Sequence, residues 1–322
     1  MSDRRDSTGN GDWRVHYPFR SHWLNLPLGR LHYLDEGLAA TAAPVDTLLF
    51  VHGNPTWSFH WRSLISSLRA HYRCVAPDHM GCGWSDKPAQ LQTLSDHVEH
   101  LVALVQMLNL ERVTLVAQDW GGAIGLGALL RMPERLERIV LFNTGAFPPP
   151  YIPWRIRACR IPLVGRLAVQ GGGLFDRAAL RMTLARRRQL DRDVAAGYMA
   201  PYDSWTNRRA VYGFVDDIPN GPQHPTWQLL ADIEHQLPTF AERPALVVWG
   251  MRDWCFRPDC LARFERAWPQ AEVHRLADVG HWVLEDAPEE AVPLVREFLA
   301  RTDRDRGELL AAANGPGASD HE

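Results

Sequence analysis

The chain has 322 residues, and its 35 Lys and Arg against 38 Asp and Glu leave a net charge of −3 with histidine neutral, which argues against a general nucleic-acid binder. An apolar fraction of 46% with 23% charged residues is the composition of a chain that buries a core, and excludes a disordered or collagen-like protein. No run approaches the roughly 18 consecutive apolar residues of a membrane-spanning helix, and the opening MSDRRDSTGNGDW has no apolar stretch of the secretory kind; a cytoplasmic protein is expected. The five cysteines Cys74, Cys82, Cys159, Cys255 and Cys260 are an odd number without a C-x-x-C pair, so reduced thiols are expected in place of a disulfide framework or a zinc site.

Residues 1–14 and 302–322 are rich in charge, Gly, Ser and Asp, and read as disordered tails. After the first of them, 22–26 and 30–34 read as a hairpin turning at Pro27-Leu28-Gly29. Further strands are expected at 47–51, 73–77, 112–117, 138–142, 245–249 and 272–276. A helix is expected at 95–108, where Val98, Leu101, Val102, Val105 and Leu108 recur at helical spacing; a second starts after Gly121. Short strands alternating with helices predict an α/β protein with a mostly parallel, doubly wound sheet, its core formed by 15–147 and 239–301. Between them, 148–238 loses this rhythm and is rich in Arg, Trp, Tyr and Pro. It reads as a helical cap inserted between strands, over the carboxyl ends where open α/β sheets bind ligands.

The most informative stretch is 113–125, VTLVAQDWGGAIG, a strand followed by a small-x-acid-x-Gly turn and a helix. It has the shape of a nucleophile elbow, in which small neighbours let backbones pass closely, with Asp119 where an esterase would have serine. An alkyl group transferred to serine would be a stable ether. On a carboxylate it is an ester whose acyl carbon lies on the enzyme, open to activated water. The expected electrophile is thus a carbon bearing a leaving group, such as halide, epoxide oxygen or strained lactone oxygen; the bland alternative is an Asp that caps the helix. VGHWVLEDAP places His281 after the last strand as the base, third in the order nucleophile, acid, histidine, whereas His22, His97 and His100 are expected on surfaces. WGMRD places Asp253 at a strand's end, where it would orient His281; the other strand end offering such a position reads Asn143-Thr-Gly, with no acid. In the HGNPTW loop, Asn54, together with the indole of Trp120, supplies hydrogen-bond donors for a departing anion. The Gly-rich loop DHMGCGWSDKP lacks the phosphate-binding order and reads as structural.

At these residues the chain resembles the α/β-hydrolase superfamily over roughly residues 17–300, and within it the haloalkane dehalogenases: HGNPTWSF, DHMGCGWSDKP, AQDWGG, GMRD and VGHWVLED all match. The resemblance implies Asp119 as nucleophile, His281 as base, Asp253 as acid, and Asn54 with Trp120 as leaving-group donors. The late Asp and the Asn of the HGN loop are similar to the third dehalogenase subfamily; Gln118 departs from it, since His usually precedes the nucleophile. YPFRSHWLNLPLGRLHYLDEG and YMAPYDSWTNRRAVYGFVDDIP are more similar still to the β-lactone decarboxylases of bacterial long-chain olefin biosynthesis. That resemblance implies a lyase converting a cis-3,4-dialkyl β-lactone to a cis-alkene and carbon dioxide, with no cofactor or metal, beside a thiolase-like condensing enzyme, a reductase and a β-lactone synthetase. The residues leave two routes open, attack by Asp119 at the ring carbon or at the acyl carbon.

Three alternatives stand beside this. A haloalkane dehalogenase needs the same five residues. An epoxide hydrolase would need cap tyrosines, for which Tyr198, Tyr202 and Tyr212 are candidates. A binding protein on a degenerate hydrolase fold is the third. The many Trp and Leu residues of the cap favour a hydrophobic small molecule. Segment 153–167, PWRIRACRIPLVGRL, is expected to pack over the pocket with its arginines facing water, the alternative being contact with a membrane or a partner.

Overall fold

Eight strands form one sheet in the order β1-β2-β4-β3-β5-β6-β7-β8 in the computed structural model, which describes residues 12–38, 46–187 and 189–313. They are β1 (Ser21–Leu26), β2 (Gly29–Gly37), β3 (Thr47–Val51), β4 (Arg73–Pro77), β5 (Val113–Asp119), β6 (Leu136–Thr144), β7 (Ala245–Gly250) and β8 (Glu272–Leu276). The hairpin β1–β2 turns through Pro27 and Leu28, with Leu26 paired to Gly29. β2 runs antiparallel to β4, and every later pair is parallel. All residues of β3 and of β7 are buried, so both faces of the sheet must be covered, as parallel sheets require.

Two apolar layers do this. On one face lie α2 (Leu94–Met107) and α3 (Trp120–Leu129), whose Val98, Leu101, Val105, Ile124 and Leu126 belong to one core cluster. On the other, α1 (Arg62–Leu68) and α12 (Pro288–Ala313) contribute Leu64, Ile65, Leu68, Val295 and Phe298 to the second. α2 starts one residue before the periodicity predicts, because Thr93 and Asp96 form a reciprocal capping box. α10 (Pro258–Ala267) and α11 (Val283–Asp286) complete the framework. The loop after β4 is structural, as its sequence implies: Asp78 accepts from the Ser58 N–H at 2.7 Å, the Trp84 N–H at 2.8 Å and His32 at 2.8 Å. Burial alone would raise its pKa, but His32 outweighs burial and holds it at about 2.

Between β6 and β7 the described residues form helices and loops without a strand: α4 (Trp154–Ala158), α5 (Val164–Arg166), α6 (Leu174–Met182), α7 (Arg192–Met199), α8 (Arg209–Asp216) and α9 (Pro225–Gln236). Several expectations change. The stretch 302–313 is not a tail but the end of α12, because its charges find partners: Asp303 accepts from Arg138 and from Tyr72, each at 2.6 Å, and Arg306 binds Asp46 at 2.6 and 3.2 Å. At the other end Trp13 belongs to a short helix turn and packs against Trp57, ring centroids 5.8 Å apart; 1–11 and 314–322 lie outside the described residues. His97 is not on the surface but buried, its ring stacked on Phe214 at 4.4 Å. In segment 153–167 arginines do face water, yet Trp154, Ile161, Leu163, Val164 and Leu167 are exposed as well.

A buried polar chain fastens the inserted helices to the core. Arg62 makes a two-pronged contact with Glu285, at 2.5 and 2.8 Å. Tyr198, from α7, donates to Glu285 at 2.6 Å and meets His60 at 2.7 Å. Burial holds the His60 imidazole down to about 3 and hence neutral. Burial by itself would raise the Glu285 pKa, but the Arg62 charge more than offsets this and brings it below the ordinary 4.5. Glu285→Gln leaves Arg62 buried without its counter-charge, and lowers the unfolding free energy by about 3 kcal/mol in urea titrations at neutral pH; a loss below about 1 kcal/mol is what a surface pair would give. Since the folded pKa is depressed, the wild-type share of that stability is present above the unfolded value of about 4.5 and fades as the pH falls through the folded one, so the two proteins converge in acid.

Candidate active site

Asp119 ends β5 and stands at the first turn of α3 with φ 53° and ψ −129°, left-handed backbone that a non-glycine residue holds only under constraint. Glycines on two sides make the turn possible. A Cβ on Gly121 would lie 1.9 Å from the Val51 carbonyl oxygen, and one on Gly53 would lie 2.1 Å from Asp119 Oδ1. The Thr144 hydroxyl donates to the Asp119 carbonyl. The carboxylate itself points back to the β3 loop, where the Asn54 backbone N–H donates to Oδ1 at 2.7 Å. β5 is therefore longer than the expected 112–117, and its extension carries the nucleophile candidate.

His281 lies opposite. Its Nε2 is 3.6 Å from Asp119 Oδ2, and its Nδ1 is 2.7 Å from Asp253 Oδ2. The other Asp253 oxygen accepts from the Cys255 N–H at 2.6 Å, so the acid's position is fixed from two sides. The imidazole also stacks on Phe256, centroids 5.6 Å apart. Burial alone would lower the His281 pKa, but Asp253 and Asp119 on either side push it up to about 10. In the resting site the imidazole is thus a cation between two carboxylates.

Three further residues carry this arrangement through contacts that the sequence does not foretell. Gln118 donates to the His281 carbonyl and lies beside His60, which joins the base to the buried chain described above. Asn143, noted in the sequence for not being an acid, clamps the end of β7: its Oδ1 accepts from the Gly250 N–H at 2.7 Å and its Nδ2 donates to the Gly250 carbonyl at 3.0 Å. Asp286 gathers the N–H groups of Gly280, Ala185, Arg186 and Arg187 at 2.6–3.1 Å. Apart from Gly280, six residues from Asp286, their partners lie about 100 residues or more away along the chain.

Asn54 and Trp120 both line the cavity above Asp119, but differently from expectation. The Asn54 amide donates to the Val211 carbonyl at 3.1 Å, and its Oδ1 is buried without a partner; its backbone N–H is spent on Asp119. The second amide hydrogen and the indole N–H of Trp120 are the donors left for an anion. The cavity encloses about 480 Å3 and its wall includes Trp120, Phe147, Phe175, Met182, Val215 and Leu230, an apolar chamber with its polar groups at one end. Of the tyrosine candidates, none lines it: Tyr198 is bonded to Glu285, Tyr202 donates to the Thr56 carbonyl at 3.0 Å, and Tyr212 donates to Asp216 at 3.1 Å. The acid that epoxide opening needs is therefore missing from these positions. Among the described residues no group of three or more His, Cys, Asp or Glu could hold a metal ion.

The chain matches known proteins along most of its length. Residues 46–288 match the family described as the alpha/beta hydrolase fold. The chain is 39% identical over 293 residues to the cis-3-alkyl-4-alkyloxetan-2-one decarboxylase of Shewanella oneidensis, covering 89% of this chain and 90% of that one. It is 41% identical over 298 residues to the protein of the same name from Xanthomonas campestris pv. campestris, covering 88% and 97%. Among solved structures, a haloalkane dehalogenase loop variant from Bradyrhizobium elkanii superposes with a TM-score of 0.79 at 25% identity, over 90% of this chain and 99% of that one. The chain belongs to the α/β-hydrolase family, on its haloalkane dehalogenase-like branch.

Proposed function

We propose that the protein is a carboxy-lyase that converts cis-3-alkyl-4-alkyloxetan-2-ones to cis-alkenes and carbon dioxide, with Asp119 as nucleophile. The observation that carries this is an aspartate nucleophile facing an apolar chamber, in a chain 39–41% identical along most of its length to two proteins with that name. The reading implies a β-lactone synthetase, a thiolase-like condensing enzyme and a reductase as the enzymes upstream.

The geometry supports attack at the ring carbon. Asp119 Oδ2 forms the new C–O bond with inversion as the lactone C–O bond breaks and its oxygen leaves as part of a carboxylate. The C–C bond to that carboxylate then breaks, its electron pair becomes the alkene π bond, carbon dioxide departs, and Asp119 leaves as an anion. Anti elimination after inversion conserves the cis relation. No proton is transferred and no water is consumed. The contacts that fix Asp119 as a nucleophile, the Asn54 N–H at 2.7 Å and the His281 cation at 3.6 Å, also stabilise it as a leaving group. The His281 cation has an electrostatic task on this route and need not act as a base.

Hydrolysis of a haloalkane is the second reading, favoured by the likeness to the Bradyrhizobium enzyme. There the first step is the same, with Asn54 and Trp120 receiving the halide. Esterification removes the Asp119 charge, one of the influences that raise the His281 pKa, and so frees the imidazole to take a proton from water.

Offered a cis-3,4-dialkyl β-lactone and, separately, 1-bromo- and 1-iodoalkanes, the protein forms alkene faster than it releases halide, and Asp119→Asn abolishes both; rapid halide release without alkene would establish the hydrolytic reading instead. In a single turnover in H2 18O, the alkene-forming reaction leaves Asp119 unlabelled by mass spectrometry, whereas hydrolysis of an alkyl ester at the Asp119 acyl carbon writes the label into its carboxyl group. If the His281 cation serves the departing carboxylate, kcat/KM for alkene is level through neutral pH and falls as the pH rises through about 10, the direction in which the cation loses its proton.

A further inference from the structure

The face around Trp154–Leu174 is polarised in two ways at once. Trp154 is 72% exposed, Leu163 79%, and Leu174 64%, with Ile161, Val164 and Leu167 also more than half uncovered; a set of large apolar side chains gathered like this in water marks a contact surface. Six arginines share the segment from Trp154 to Arg181, namely Arg155, Arg157, Arg160, Arg166, Arg177 and Arg181, against a single acid, Asp176, which is buried. None of the six makes a salt bridge with a carboxylate among the described residues. Their contacts are to rings and to neutral groups instead: Arg155 lies over Trp154 at 5.2 Å, and Arg166 donates to Gln170 at 2.7 Å. In a chain whose net charge is −3, this is a local excess of cations without ion-paired carboxylates among the described residues.

The face is also continuous with the chamber. Trp154 and Leu174 are exposed and line the cavity as well, and the wall includes Ala158, Cys159 and Ala168 from the same stretch. α5 is held close, since a Cβ on Gly165 would lie 2.0 Å from the Cys159 carbonyl oxygen. Two of the exposed apolar side chains, Trp154 and Leu174, therefore join the face to the chamber wall. A tryptophan, several leucines and a ring of arginines are the side chains that settle at the headgroup level of a bilayer, the apolar ones inserting and the cations meeting phosphate.

We infer that this face docks on an anionic phospholipid surface, with Trp154, Leu163, Val164, Leu167 and Leu174 entering the headgroup–acyl boundary and Arg155, Arg157, Arg160 and Arg166 held by lipid phosphates. Docking turns the mouth of the chamber toward the lipid, so a substrate with two alkyl chains passes from bilayer to chamber without crossing water. The interaction is peripheral, and no described helix is long and apolar enough to span a membrane.

Flotation of the full chain with vesicles of equimolar phosphatidylglycerol and phosphatidylcholine, and with vesicles of phosphatidylcholine alone, reads this without turnover and so independently of the reaction proposed above. The wild type floats with the anionic vesicles, less so as salt is raised. The triple variant Arg157→Gln/Arg160→Gln/Arg166→Gln partitions at least tenfold more weakly, given about fivefold per arginine near an anionic surface. Leu163→Ser/Leu167→Ser, which keeps every charge, loses about tenfold or more. All of these but the half-buried Arg160 are solvent-exposed, and an unchanged thermal midpoint shows that the fold is intact. Absence of flotation, equal flotation with both vesicles, or a triple variant that floats like the wild type overturns the proposal. So does a wild type that stays off vesicles but self-associates in sedimentation velocity through Leu163 and Leu167, since the face then belongs to a second copy.

Discussion

One carboxylate, Asp119, is held in place by a backbone N–H and a buried cation, and much of the chain is arranged to keep it there. The left-handed turn at Asp119 is tolerated because Gly121 lets α3 pass the end of β3 and Gly53 leaves room for the carboxylate against its own loop. The parallel order of β3, β5, β6, β7 and β8 brings the HGN loop, the elbow, the Asn143 clamp, the Asp253 turn and the His281 loop to one edge of the sheet. A group placed at a strand's carboxyl end in such a sheet needs little further positioning. What it does need here is supplied by residues that touch no substrate, such as Gln118 and Asn143.

The electrostatics allow one constellation to serve either of the two chemistries proposed above. A histidine between two carboxylates is a cation until one of them is esterified, and whether it must then become a base depends on how the ester is resolved. If the ester is hydrolysed, the histidine works as a base; if the ester is expelled by loss of carbon dioxide, the same histidine remains a charge partner. The relation between decarboxylase and dehalogenase is in this view a difference in the fate of an intermediate common to both, governed by the substrate's own carboxylate more than by any exchange of residues at the site.

Much of this was legible in the sequence because the features concerned are local. Strand–helix alternation, the small residues flanking Asp119, and the chain order of Asp119, Asp253 and His281 all lie within short windows. What was not legible depends on contacts between distant positions. The stretch after 301 reads as a tail because its charges look solvated, and only the fold reveals that Asp303 and Arg306 face Arg138 and Asp46. His97 reads as a surface residue because its helix is amphipathic, yet Phe214 from the insertion covers it. The Asn54 amide reads as a free donor, and a carbonyl at Val211 takes one of its hydrogens. In each case the partner comes from another part of the chain, to which periodicity is blind.

Asp286 unites two parts of the molecule that are usually considered separately. Its two oxygens receive N–H groups from Gly280, next to the histidine, and from Ala185, Arg186 and Arg187, at the end of the stretch that follows α6. The loop bearing His281 and this part of the insertion are consequently a single mechanical unit, and neither can shift without dragging the other. Sequence drift at 185–187, where no side chain lines the chamber, is thereby coupled to the angle at which the imidazole meets its carboxylates. The stretch at 185–187 is thereby held to the same geometry as the active site itself.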